Sequence, residues 1–444
     1  MSQQSAPVPK SHQRKRGLRS DPSQFCSIRD RRSYGELHGR VNGFVGEATS
    51  GGVSAATSDG FVFGVATSAY QVEGAASEDG RGDSIWDVFT KTQGNIKDGS
   101  NGDVAADQYH RYMEDVELIA NLGFQAYRFS ISWSRIFPDG LGEKVNEKGV
   151  AYYNNLIDFL LKKGIQPFVT LYHWDLPSKL NESEGGWLRE NIVEYFAMYA
   201  ETCFARFGDR VKHWITINEP LQTAINSYSI GIFAPGRRDN PYKEPYIAGH
   251  YQIFSHAAVR VYRKKFKVVR LGLVVDCEWA EPFSDKVQDK VAAARRLDFQ
   301  LGWFLDPIYY GDYPAVMRER LGDNLPKFSE RDKELLRNSL DFIGLNHYTS
   351  RLIAHSSVTE EGPHYQVQEM ERIGMDDEED ETASIDGFLN DEKRIKYFRV
   401  ISAQLPKQSE RTNDKKTWGK ASKLYHATRA LGAGKTGLST QARK

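Results

Sequence analysis

Cysteine is scarce in this chain: three in 444 residues, at Cys26, Cys203 and Cys277. They are odd in number, far apart and form no C-x-x-C pair, which excludes a disulfide framework and a paired-cysteine zinc site and makes a reducing compartment the simplest reading. Net charge is absent too, because 59 Lys and Arg balance 59 Asp and Glu; no excess of either sign points to nucleic acid or to a membrane surface. No apolar run is long enough to span a bilayer. No apolar stretch follows the N-terminal charges, as a secretory signal requires. A phosphate-binding turn is missing as well: no Gly-rich segment follows the first candidate strand. Gly432-Ala433-Gly434-Lys435-Thr436 lacks the required glycine at Arg429 and has no strand before it.

What is present is a globular middle between two polar ends. Residues 1–60 carry a basic cluster (Lys10, Arg14, Lys15, Arg16, Arg19) and a small-residue stretch, the composition of a disordered leader. Asp21, Asp30, Glu36 and Glu47 speak against an organelle transit peptide. The cytosol is therefore the expected location and a plastid the alternative. From Phe61 short apolar runs alternate with amphipathic stretches. Strands are predicted at Phe61–Ala66, Ala126–Ser132, Gln166–Leu171, His213–Ile217, Arg270–Val275 and Leu340–Leu345. Helices are predicted at Asp107–Leu122, with Met113, Val116, Ile119 and Ala120 on one side, and at Tyr152–Lys163, with Leu156, Ile157, Leu160 and Leu161 together. A third is predicted at Asn191–Phe207, on Val193, Phe196, Tyr199 and Phe204. Alternation of this kind gives parallel strands joined by right-handed crossovers. An open doubly wound sheet and a closed barrel both satisfy it; polar residues gathered at strand C-termini favour the barrel. After Ile373 the alternation stops, and residues 406–444 form a basic low-complexity tail.

The strand ends carry the chemistry. One runs into Tyr172-His173-Trp174-Asp175-Leu176-Pro177, one ends Thr216-Ile217-Asn218-Glu219-Pro220, and one ends Asn346-His347-Tyr348-Thr349. In a barrel these groups converge on one mouth. A buried carboxylic acid is suited to protonating a departing glycosidic oxygen, amides and imidazole to bonding sugar hydroxyls, and flat aromatics to stacking on sugar rings. Trp133 and Trp187 read as packing rather than as sugar platforms.

In order along the chain, Phe61–Gly74, Tyr127–Pro138, Tyr172–Pro177, Thr216–Pro220 and Gly344–Thr349 resemble the successive signatures of glycoside hydrolase family 1, in the form seen in plant β-glucosidases. The resemblance implies a (β/α)8 TIM barrel that hydrolyses small-molecule β-glucosides with retention and without metal or cofactor. It implies Glu219 as acid/base and Asn218 as the partner of the sugar 2-hydroxyl. Gln71 and His173 resemble the pair on the 3- and 4-hydroxyls, with Trp174 beside them. Arg128 and Tyr348 resemble the pair that positions the nucleophile, and Asn346 supports the same wall.

One part of the pattern does not arrive. A retaining enzyme needs a second carboxylate about 5–5.5 Å from the first, which the family supplies from its seventh barrel strand in a segment close to Thr-Glu-Asn-Gly. Here Met370-Glu371-Arg372-Ile373 is followed directly by Gly374-Met375-Asp376-Asp377. Residues 61–405 therefore read as an incomplete barrel: strands one to six recognisable, seven and eight missing, a shortfall on the order of 60 residues at about 30 per unit. Glu369 and Glu371 are not placed at a strand end, and the acidic run Asp376–Glu381 reads as a solvated loop. The expectation is family-level β-glucosidase chemistry without a nucleophile in this chain. The alternatives are a pseudoenzyme that binds glucosides or a protein, or a spliced product that does not fold.

Overall fold

The computed structural model describes residues 62–373, apart from 267–269, 338 and 360–361 and the side chains at 263 and 264. The leader, the segment after Ile373 and the basic tail lie outside the described residues.

Six parallel strands form one curled sheet in the order β1 (Gly64–Ala66), β2 (Ala126–Ser130), β3 (Gln166–Tyr172), β4 (His213–Asn218), β5 (Arg270–Asp276) and β7 (Phe342–Asn346). Each predicted strand is present within a few residues of its expected limits. The central strands are buried on both faces, with Val169, Leu171, Trp214, Ile217, Leu271 and Val275 at or below 1% exposure. This explains why they read as continuous apolar runs. The crossovers hold α1 (Gln108–Asn121), α2 (Glu147–Lys162), α3 (Ile192–Phe207) and α4 (Glu244–Val259). Each turns an apolar stripe to the sheet: Val116 and Ile119 from α1, Tyr153, Leu156 and Leu160 from α2, Phe196, Tyr199 and Phe204 from α3. Two expected members of these stripes are corrected. Met113 is 52% and Leu161 40% exposed, because both sit on the flank of the stripe, outside the buried centre formed by Val116 and Ile119 in α1 and by Tyr153, Leu156 and Leu160 in α2. Trp133 and Trp187 are fully buried, as packing residues are.

A second, smaller sheet escaped the sequence reading. It contains β6 (Trp279–Pro282), β8 (Ser350–His355) and β9 (Met370–Ile373), backed by α5 (Val287–Leu297). The chain segments that pair as β5 and β7 in the main sheet pair again, still parallel, as β6 and β8. Between the two pairings the ladder breaks over Cys277-Glu278 on one side and His347-Tyr348-Thr349 on the other. The Cys277 amide donates to the Asn346 carbonyl at 3.0 Å, and the Trp279 amide to the Thr349 carbonyl at 3.2 Å. The break lies at the carboxyl end of the main sheet and leaves its last side chains facing the mouth. Among the described residues β1 and β7 each have one sheet neighbour. Accordingly β7 is only half-buried along its length, with Leu345 41% exposed.

Candidate active site

Glu219 follows the last residue of β4 and is 5% exposed. Its backbone is left-handed (φ 48°, ψ 63°), and Pro220 behind it disfavours the right-handed helical alternative. Trp174, after β3, is also left-handed at φ 72°. Such residues cost about 1–3 kcal/mol each and persist where the surroundings impose them, most often at functional sites. Here the Glu219 amide donates to the Val274 carbonyl at 2.8 Å, while the Trp174 indole donates to the Asn218 carbonyl at 3.1 Å.

Around Glu219 the groups from four strands interlock. The Asn346 side-chain amide donates to Glu219 Oε1 in a short contact and to Asn218 Oδ1 at 3.2 Å. Arg128, from β2, donates through Nη2 to Asn218 Oδ1, through Nη1 to Asn346 Oδ1 at 3.4 Å and through Nε to Thr170 at 3.2 Å. The Asn218 amide meets His173 Nε2 at 3.2 Å, and His173 Nδ1 is buried without a hydrogen-bond partner. Glu219, Asn218, Asn346, Arg128, His173 and Trp174 thus form one cluster. Tyr348 is 75% exposed yet within electrostatic reach of Glu219 and Arg128. Gln71 is exposed, and its Oε1 accepts from the Ser68 hydroxyl at 2.6 Å rather than from any of these groups.

One site-wall residue was missed by sequence reading. Asp276 ends β5, is 9% exposed and accepts from the Gln222 amide at 2.7 Å. The signal was available, since a carboxylate closing an apolar strand run at its C-terminus is where a barrel places its chemistry. Glu369 and Glu371 do not reach the cluster: Glu369 pairs with Arg320 at 2.7 Å, and Glu371 lies on β9 in the small sheet.

Electrostatics separate the titrating groups. Burial, and then the Asp276 charge, push Glu219 up to about 7, against the lowering effect of Asn346, Arg128 and Asn218. Burial, then Arg128, hold His173 well below the usual imidazole range, so at neutral pH it is uncharged. Because the folded Glu219 carboxyl binds its proton more tightly than the unfolded one, its contribution to stability is full below about 4.5 and lost as pH rises through about 7. Glu219→Gln cannot lose that contribution. The stability of the variant relative to the parent, from urea midpoints, is expected to rise between pH 5 and pH 8; a difference that stays flat over that window contradicts the assignment.

A carboxyl that keeps its proton near neutral pH, set among hydroxyl-binding groups on the rim of a parallel barrel sheet, is the equipment of a glycoside hydrolase. Comparison with known proteins makes the class specific. The sequence model of Glycosyl hydrolase family 1 matches residues 54–385, and the chain belongs to that family. It is 59% identical to Beta-glucosidase 4 of Oryza sativa subsp. japonica, over 78% of this chain and 82% of the relative. It is 56% identical to Beta-glucosidase 42 of Arabidopsis thaliana, over 79% and 82%. A crystal structure of a rice β-glucosidase superposes with a TM-score of 0.75 at 42% identity, over 81% of this chain and 88% of that one. By family the protein is a β-glucosidase-type glycosidase with the (β/α)8 barrel fold. The alignment with Beta-glucosidase 4 runs over 397 positions, whereas 78% of 444 residues is about 346, so about 50 positions of the relative face no residue of this chain.

Proposed function

We propose that the mouth of this sheet binds the glucosyl ring of a β-D-glucoside and that Glu219 donates a proton to the glycosidic oxygen. The observation that carries this reading is the Asn346–Glu219 contact inside a cluster where burial keeps the carboxyl protonated near neutral pH. Asn218 takes the sugar 2-hydroxyl, a contact that strengthens as the oxocarbenium ion develops. His173, neutral and with one free ring nitrogen, and Gln71 take the 3- and 4-hydroxyls beside Trp174. Arg128 and Tyr348, with Asn346, line the wall that serves the nucleophile in the family. The nucleophile itself is absent from the chain, and about 50 unmatched positions in its relative are close to the size of the segment that carries it. This chain therefore retains glucoside recognition and the proton donor, but with no nucleophile to take the glucosyl group the glycosidic bond is not cleaved. Cytosol is the proposed location, with plastid as the alternative.

Titration of Trp fluorescence with D-glucono-1,5-lactone tests the reading. A saturable change is expected, lost in Trp174→Phe, with Asn218→Ala raising the midpoint at least about tenfold, as loss of a bond to a buried polar group predicts. Absence of any saturable change in the folded chain rules the sugar site out.

A further inference from the structure

Glu219 stands on a turn that is tied down from β5. Its carbonyl accepts from the Gln222 amide nitrogen at 3.0 Å. The Gln222 side chain then reaches across to donate to Asp276 Oδ2 at 2.7 Å, and its own oxygen accepts from Asn226 at 2.6 Å. Asp276 is also the register partner of Asn346, whose side chain donates to Glu219. The two residues are therefore linked twice: Gln222 ties the Glu219 backbone to the Asp276 carboxylate, and Asn346 ties the Glu219 carboxyl to the strand paired with Asp276. The second oxygen of Asp276, Oδ1, is buried with no hydrogen-bond partner.

We propose that Asp276 is a positioning residue for Glu219: through Gln222 it holds the left-handed turn in place, with its buried carboxylate facing the Glu219 carboxyl. The charged and titratable groups facing Glu219 are Arg128 from β2, Asp276 from β5 and Tyr348 beyond β7; His173, beyond β3, faces Asn218 and is neutral. Those facing Asp276 are Arg296 from α5, Cys277 and Glu278 from the segment after β5, Tyr348 beyond β7 and Glu219 itself. Burial raises both carboxyls. Gln222 and Arg296 favour the Asp276 anion, which leaves Asp276 at about 6 and Glu219 at about 7. The charge on one carboxyl opposes the ionisation of the other, so the pair loses its two protons in separate steps.

The proposal rests on Glu219 as the proton donor, but its test follows the Glu219 proton and needs neither turnover nor sugar, so failure of lactone binding is a separate result. The full chain is labelled with glutamate carrying carbon-13 at the side-chain carboxyl, and Glu219 is assigned by the signal lost in Glu219→Gln. In the unmodified chain the Glu219 signal is expected to follow a two-step curve between pH 4 and pH 9. In Asp276→Asn a single step is expected, lower by about one pH unit. In Gln222→Met, which keeps both carboxyls and removes the tie, the lower step is expected to move up toward the upper one. A single-site curve in the unmodified chain overturns the proposal, as does an unmoved midpoint in folded Asp276→Asn. Should that variant not fold, the unmodified curve and Gln222→Met decide.

Discussion

The purified 444-residue chain is expected to release no p-nitrophenol from p-nitrophenyl β-D-glucoside above background, while still binding the lactone. Retention requires a carboxylate on the far side of the sugar, about 5–5.5 Å from the acid. Among the described residues the carboxyls on the sequence-flagged positions are otherwise engaged: Glu369 is on Arg320, and Glu371 is on an antiparallel strand of the small sheet. Asp276 is near but is bound by Gln222 on the Glu219 side of the mouth. Removing one member of a group that acts as a unit costs orders of magnitude in rate, not a fraction. Inserting the seventh-strand segment of the family pattern, close to Thr-Glu-Asn-Gly, between Ile373 and Gly374 is expected to raise turnover by at least about a thousandfold. Glucoside hydrolysis by the unmodified chain that falls a hundredfold or more in Glu219→Gln would falsify the claim and require another nucleophile. Reading the transcript across the Ile373–Gly374 codons shows whether a form of the chain with the segment is also made.

The largest effect on stability is expected at Glu73. Arg135 donates to Glu73 Oε2 at 2.9 Å and to the Gly74 carbonyl at 2.9 Å, and the Tyr153 hydroxyl donates to Glu73 Oε1 at 2.5 Å. Both charged side chains are essentially sealed, at 1% and 4% exposure, and the guanidinium lies over the Tyr109 ring at 4.3 Å. Glu73→Leu strands a buried cation and a buried hydroxyl, at a cost of about 3–5 kcal/mol. That is a large part of the roughly 5–15 kcal/mol available to a domain. Adding Arg135→Met removes the stranded charge and is expected to recover most of the loss, because a well-packed apolar pair replaces a buried ion pair at little net cost. Denaturant midpoints of the parent, both single variants and the double variant give the coupling directly. A Glu73→Leu loss below about 1 kcal/mol, the size seen for exposed pairs, means that the pair is not desolvated.

The main sheet was legible because parallel strands buried on both faces write themselves as apolar runs, and because each ends where its side chains change character. Asn218, Glu219 and Asn346 stand at such ends, and all three are in the cluster. The small sheet was not legible. Trp279–Pro282 mixes Trp, Ala, Glu and Pro, and Ser350–His355 holds only three apolar residues in a row between polar ones, too few to stand apart from a loop. What makes them strands is the pairing inherited from β5 and β7, a tertiary cause with no local trace. Asp276 was missed for a different reason. It lies one residue past the predicted end of its strand, so the local signal of a carboxylate at a strand C-terminus was passed over; the Gln222 contact, made by the turn after β4, ties it to Glu219.

The span between Glu219 and Asn346 also sets when the site comes into being. The two residues lie 127 positions apart, and translation proceeds at about 5–20 residues per second, with structure forming as the chain emerges. For several seconds after Glu219 leaves the ribosome, neither Asp276 nor Asn346 has been made, and Glu219 is an ordinary solvated carboxylate. Its proton-holding character is acquired only when the sheet assembles around it, burying the carboxyl and bringing the Asp276 charge beside it, late in the synthesis of the described region. A nascent chain halted before that point carries every residue of the TINEP signature and none of its acid chemistry.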